Sequence, residues 1–184
     1  ADRDSATYGA RITGDLPVAE YALDYHQQTK YADATAGGGS MTNAFAAAKF
    51  AGFRLGLGYG VITGAQGGDR AFDTLFSTAH AHNGWADQFI STNGGGLANG
   101  LKEAYALLGG NHAGVRWEVS YHQFGQETRS EPYGSELDLL VSTALAESLT
   151  GLVKAALYAA DSGNTSGVAA SDKTVYWVRL DYKF

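Results

Sequence analysis

Charged side chains at every second residue of short apolar runs are the groups in this chain whose type and spacing could do chemistry. Read by alternation, Arg11, Lys30, Lys49, Arg54, Lys102, Arg116, Lys154, Arg179 and Lys183 share one side of their segments with Asp15, Glu20, Asp24, Glu118, Glu136, Asp138 and Asp181. Nine of the 13 basic residues and seven of the 19 acids then lie on that side, giving it net +2 against −8 elsewhere and −6 for the chain. Opposed rows of ionised groups support a transverse field and a hydrated path, and guanidinium groups can engage carboxylates bidentately. The residues expected to line such a path are Arg11, Lys49, Arg54, Arg116, Glu118, Glu136, Asp138, Lys154, Arg179 and Asp181. The bland alternative is a set of ion pairs that satisfy buried charge beside a filled interior.

Other chemistries find little support. His80-Ala-His82 with Asp73 or Asp87 could hold a metal, but two histidines at this spacing match no strong ligand pattern. No Gly-x-Ser-x-Gly elbow occurs, and the glycine runs near Gly67 and Gly94 lack the Lys-Ser/Thr of a phosphate loop. Neither a catalytic set nor a cofactor is expected. With no cysteine there is no disulfide or thiolate chemistry, and a net charge of −6 argues against nucleic acid as a partner. No apolar run approaches the ~20 residues of a spanning helix. Ala1-Asp-Arg-Asp reads as mature or internal sequence rather than a signal peptide.

The elements that must carry these residues are strands. Thr174 to Phe184 sets Thr174, Tyr176, Val178, Leu180, Tyr182 and Phe184 against Trp177, Arg179, Asp181 and Lys183, a period of two. The same period runs through residues 6–16, 20–28, 53–61, 115–124, 137–143 and 153–158, with weaker strands expected at 43–50 and 101–108. On the fourth strand Gly56, Gly58 and Gly60 fall on one face, either leaving room for a loop or substrate or relieving crowding in a curved sheet.

Connections alternate. They are short at Leu16-Pro17-Val18, Ala51-Gly52, Gly109 to Gly114 and Ala146-Glu147-Ser148, and long over 31–40, 64–100, 126–133 and 161–173. Tight turns on one side and extended loops on the other are the pattern of an outer-membrane barrel. The expected fold class is all-β: a single antiparallel transmembrane β-barrel segment over residues 1–184, its 64–100 loop either extracellular or entering the pore. If the last strand ends in the periplasm, nine antiparallel strands place residue 1 outside the cell. Single-chain bacterial barrels have even strand numbers, so the chain is expected to be the C-terminal half of a barrel of about 18 strands, its missing N-terminal part a companion segment.

The long loop contains Phe72-Asp-Thr-Leu-Phe76, Asn83-Gly84-Trp85-Ala86-Asp87-Gln-Phe89, Ser91-Thr92 and Gly100-Leu101-Lys-Glu103. Tyr121-His122-Gln-Phe124, Tyr133-Gly-Ser-Glu136-Leu-Asp138 and the ending Leu180-Asp-Tyr-Lys-Phe184 follow. From Phe72 onward the chain resembles the alginate export family of Gram-negative outer-membrane proteins, whose members carry Phe-Asp-x-Leu-Phe, Asn-Gly-Trp-Ala-Asp-x-Phe and Gly-Leu-x-Asp stretches. It departs at Asn93-Gly-Gly-Gly96, where the family often has Pro-Ala-Asn, and at Tyr158-Ala-Ala-Asp161, where a Tyr-Asp-x-Asp run is usual. The resemblance implies a porin-like channel in outer-membrane lipid for a hydrophilic solute, an anionic polysaccharide by family analogy. The alternative is a plugged structural barrel that anchors an envelope complex. Within the Gly84, Trp85, Asp87 motif, Trp85 is either part of a mouth or an anchor packed on the wall. Asp87 is either an electrostatic gate or a turn cap.

Overall fold

A computed structural model describes residues 4–34, 37–74, 83–89 and 97–184. They form one antiparallel sheet of nine strands, each paired only with its neighbours in sequence. The strands are β1 (Ser5–Asp15), β2 (Ala19–Lys30), β3 (Ser40–Phe50), β4 (Phe53–Ile62), β5 (Leu101–His112), β6 (Val115–Gly125), β7 (Pro132–Ala146), β8 (Leu149–Ala160) and β9 (Lys173–Tyr182). The described residues include no helix. The sheet is open: β1 and β9 are its two edges and do not pair with each other.

The hairpins confirm the alternation of short and long connections. Ala51-Gly52 and Ala113-Gly114 are two-residue turns in which both positions have positive φ, 48° and 82° in the first and 50° and 79° in the second. Such turns match the twist of the flanking strands. The six-residue link expected between β5 and β6 is therefore a turn of two, because Gly109 to His112 continue the ladder opposite Glu118, Trp117, Arg116 and Val115. β7 begins earlier than its alternation suggests, with Tyr133 fully buried inside the strand. The long connections all emerge at the opposite end of the sheet.

Every strand presents one face outward. Tyr8, Ile12, Leu23, Tyr25, Leu55, Leu57, Tyr59, Val141, Val153, Val178 and Leu180 are all exposed there. Near the short turns Phe53 packs against Phe50 and edge-on against Trp117, with centroids 6.1 and 6.2 Å apart. The core lies on the other face, toward the long-loop end. There Phe72, Ala86 and Phe89 of the β4–β5 connection are buried against Ile62, Leu101, Phe124, Tyr133, Ala156 and Tyr158.

The β4 glycines serve the wall. A Cβ on Gly58 would coincide with the Tyr105 ring, and one on Gly56 would come within 2.8 Å of the Phe45 ring. Glycine thus provides the floor on which aromatic rings of the flanking strands rest. Gly58→Ala is expected to destabilise the fold by about 1–3 kcal/mol through forced displacement of Tyr105. Gly60→Ala should cost less, because its Cβ meets the movable end of Asn43. Urea midpoints of the two variants measured under the same conditions check the order, and equal midpoints would refute it.

Candidate functional site

Strand register assigns the charged residues to faces. Of the seventeen Asp, Glu, Lys and Arg residues in the nine strands, sixteen point to the inner face and only Lys102 points outward. The sequence pattern had placed Lys102 inside and left Glu103 off the wall; the register reverses both. Lys102 pairs with outward Val61, whereas Glu103 pairs with Gly60 and Phe124 and is buried. The physical reason is that β5 turns half-buried Tyr105 and buried Leu107 inward while Ala104, Ala106 and Leu108 face out, so polarity does not separate its faces. Within the strands the inner face then carries eight basic groups, Arg11, Lys30, Lys49, Arg54, Arg116, Lys154, Lys173 and Arg179. It also carries eight acids, Asp15, Glu20, Asp24, Glu103, Glu118, Glu136, Asp138 and Asp181. The wall is charge-balanced, and the expected net +2 disappears.

These groups pair across strands. Arg11 meets Asp24 at 3.2 Å, and Arg54 bridges Glu20 at 2.5 Å and Glu118 at 3.1 Å. Lys49 bonds Asp15 and lies 3.5 Å from Glu20, while Arg179 donates to Asp181 at 2.9 Å. Arg116 lines a hollow of about 480 Å3 at the short-turn end with Lys49, Arg54 and Glu118. His122 Nδ1 is 2.6 Å from Glu103 and its Nε2 is 3.0 Å from Ser120 Oγ.

Glu136 and Asp138 differ from the rest. They lie side by side on the inner face of β7, almost wholly buried, and accept hydrogen bonds from the loop backbone. Ala86 N–H donates to Glu136 Oε1 at 2.7 Å and Trp85 N–H to Asp138 Oδ2 at 3.2 Å. Positive φ values at Asn83 (60°), Gly84 (80°) and Asp87 (55°) fold the segment so that consecutive amides point at the wall. Trp85 covers Lys154, whose Nζ lies 4.1 Å from its ring centroid and 5.1 Å from that of Trp177. Phe89 packs among Phe124, Tyr133 and Tyr158 at 4.7, 5.3 and 6.2 Å. Gln28 of β2 holds the same connection upstream: its side chain donates to Asp73 O at 2.6 Å and accepts from Asp73 N–H at 2.8 Å.

Residues 83–89 are thus latched to the inner wall, with Trp85 as a packed anchor. No family model matches this chain, and no curated protein matches it. His80 and His82 lie outside the described residues, as do Phe76, Ser91-Thr92 and Asn93 to Gly96. Among the described residues no group of three or more potential ligands is arranged to hold a metal.

Sequence alternation did not reveal an aromatic strip that crosses four strands. Phe45 and Tyr105 have centroids 6.0 Å apart with planes within 8°, Tyr105 and His122 follow at 5.0 Å and 18°, and His122 and Phe124 at 5.8 Å and 12°. The Arg54 guanidinium lies 5.3 Å from the Phe45 centroid, a cation–π distance. The three inward glycines of β4 were the available signal, since a glycine face needs bulk from its neighbours. At the long-loop end Glu131 accepts from Thr165 at 2.7 Å and Gln126 at 3.2 Å, joining two connections. The Thr165 hydroxyl holds its carboxyl below the usual carboxylate range.

Proposed function

We propose that this chain forms part of the wall of a β-barrel channel in a Gram-negative outer membrane, through which a hydrophilic solute such as a polysaccharide passes. The observation that carries the reading is the segregation of charge: sixteen of seventeen strand charges face inward, while the opposite face exposes leucine, valine and aromatic side chains. A soluble monomer rarely exposes a contiguous apolar patch beyond a few hundred Å2, whereas a lipid-facing wall requires one. Exposed aromatics support both interfaces, with Phe50 and Phe53 near the short turns, beside the half-buried Trp117, and Tyr8 and Tyr59 nearer the long loops. The short turns would face the periplasm and the long loops the exterior.

Unpaired strand edges are not tolerated in hydrocarbon. The free edges of β1 and β9 therefore call for further strands, and about nine more, supplied by a companion segment, would close an even-numbered barrel of about 18. The Asn83-Gly84-Trp85-Ala86-Asp87 resemblance to the alginate export family supports a saccharide. The balanced wall adds no preference for an anion.

Reconstitution into planar bilayers, together with whatever strands co-purify, tests the channel. Stepwise ion currents are the expected result. Their absence from a folded, complete barrel would leave the second reading, a plugged barrel anchoring an envelope complex, which the buried Phe72, Ala86 and Phe89 against the inner wall favour.

A further inference from the structure

Between the latched loop and the aromatic strip lies a cavity of about 260 Å3. Its apolar lining comes from Phe45 and Tyr105 on the sheet and Trp85 on the loop. Its polar lining includes three carboxylates, Asp24, Glu103 and Glu118, and two guanidinium groups, Arg11 and Arg54, with the Asn43 amide beside them. Each of these ionised groups is already bonded within the protein: Arg11 to Asp24, Arg54 to Glu20 and Glu118, and Glu103 to His122.

That state of pairing selects the kind of ligand. A carboxylate, phosphate or ammonium entering the cavity buries a charge whose opposite charges are already neutralised by partners at about 2.5–3.2 Å. Hydroxyl groups need displace nothing, because each carboxylate keeps unused lone pairs and a guanidinium has five N–H donors. The aromatic lining adds a second requirement. The negative face of Tyr105 attracts slightly positive C–H groups, flanked by Phe45 and Trp85, whose rings also meet Arg54 and Lys154, so the ligand needs a C–H face as well as a hydroxyl rim. A pyranose ring has both, and the cavity is of a size for one.

We infer that this cavity is a binding subsite for one uncharged pyranose unit of a saccharide. Its C–H face packs on the aromatic lining, and its hydroxyls bond Asp24, Glu103, Glu118 and Asn43. The subsite rests on the channel reading for its place in a solute path, and it narrows the solute to a neutral sugar. The inserted loop supplies one of its walls, so the latch on β7 and the subsite belong to one structure.

Titrating the complete protein in detergent micelles with D-glucose, D-galactose and D-mannose, followed by tryptophan fluorescence, should give saturable binding of at least one hexose. D-Glucuronate should bind about tenfold more weakly, since its charge meets the carboxylates. Tyr105→Ala should weaken hexose binding about tenfold, whereas Tyr105→Phe, which keeps the ring, should stay within about twofold. Should Tyr105→Ala fail to fold, the contrast between hexose and glucuronate on the unaltered protein still decides. No saturable signal with any of the three hexoses, or glucuronate binding as tightly as they do, overturns the subsite. The readout needs no pore: sugar binding by a barrel that passes no current upholds the subsite and sinks the channel. Current without sugar binding does the reverse.

Discussion

Leu57→Arg is expected to destabilise the folded protein in lipid vesicles by about 2–4 kcal/mol, the depth-dependent penalty for a cation at the middle of a lipid-facing barrel wall. Leu57 lies in the middle of β4, points outward and is 65% exposed, with outward Ala46 and Ala106 on the flanking strands. In a water-soluble sheet the same change at an exposed position would stay within about 0.5 kcal/mol. Lys102 provides the internal control. As the one outward charge in the strands it sits at the start of β5, beside the long-loop end, where the lipid penalty falls to about 0–1 kcal/mol. Lys102→Leu should therefore be nearly neutral. Urea unfolding of both variants in vesicles measures the contrast, and a Leu57→Arg effect no larger than that of Lys102→Leu would place the outer face in water.

The contrast between Leu57 and Lys102 also marks where the sequence could be read and where it could not. β1, β2, β6 and β9 alternate cleanly because an apolar outer row stands against mostly polar inner residues, and their charges were assigned to the correct face except Lys173, which opens β9 but read as the end of the preceding loop. β3 carries three alanines, a serine and a threonine among the six residues of its outer side and gives only a weak signal. β5 gives a misleading one. Its inner Tyr105 and Leu107 are as apolar as its outer row, because that side covers an aromatic strip and an inserted loop rather than water. The exchange of Glu103 for Lys102 then removed the positive bias inferred for the wall, since counting Lys173 in place of Lys183 leaves the sum unchanged. The bias was a sum of small differences, so one misplaced strand sufficed to cancel it.

The site was legible by residue type but not by partner. Trp85 and Gly84 stood out through their motif, and Glu136 and Asp138 through alternation, yet nothing in the chain said that these two pairs meet. The bonds run from the backbone N–H groups of Ala86 and Trp85 to carboxylates fifty and fifty-three residues away. A backbone donor has no side-chain signature, so such contacts leave no spacing to recognise. The β4 glycines were ambiguous for a related reason: the rings that fill their space come from β3 and β5, and only the register brings Phe45 and Tyr105 over them. The inner wall is partly occupied, and what occupies it is the chain's own most recognisable motif.

Gly84→Ala should release that motif. At φ +80° an L-residue is strained, and the added Cβ would lie 2.7 Å from the Glu136 carboxylate. Glu136 would have to withdraw from the Ala86 amide, leaving a buried carboxylate without that donor, a loss of about 1–3 kcal/mol or more for a charged group. Hydrogen-exchange protection at the Trp85 and Ala86 amides should fall by about ten- to a hundredfold, with the strand amides of β7 unchanged. In a conducting barrel the same variant should raise the current, since residues 83–89 would no longer be held on the inner wall. Combining it with Glu136→Ala separates the two causes. Glu136→Ala alone abolishes the acceptor, and in the double variant the collision is gone, leaving only the strain of the left-handed position. The two changes should therefore be strongly sub-additive, as expected of residues in direct contact. Full additivity would mean that Gly84 acts through its own backbone and not through Glu136, and the latch would lose its steric basis.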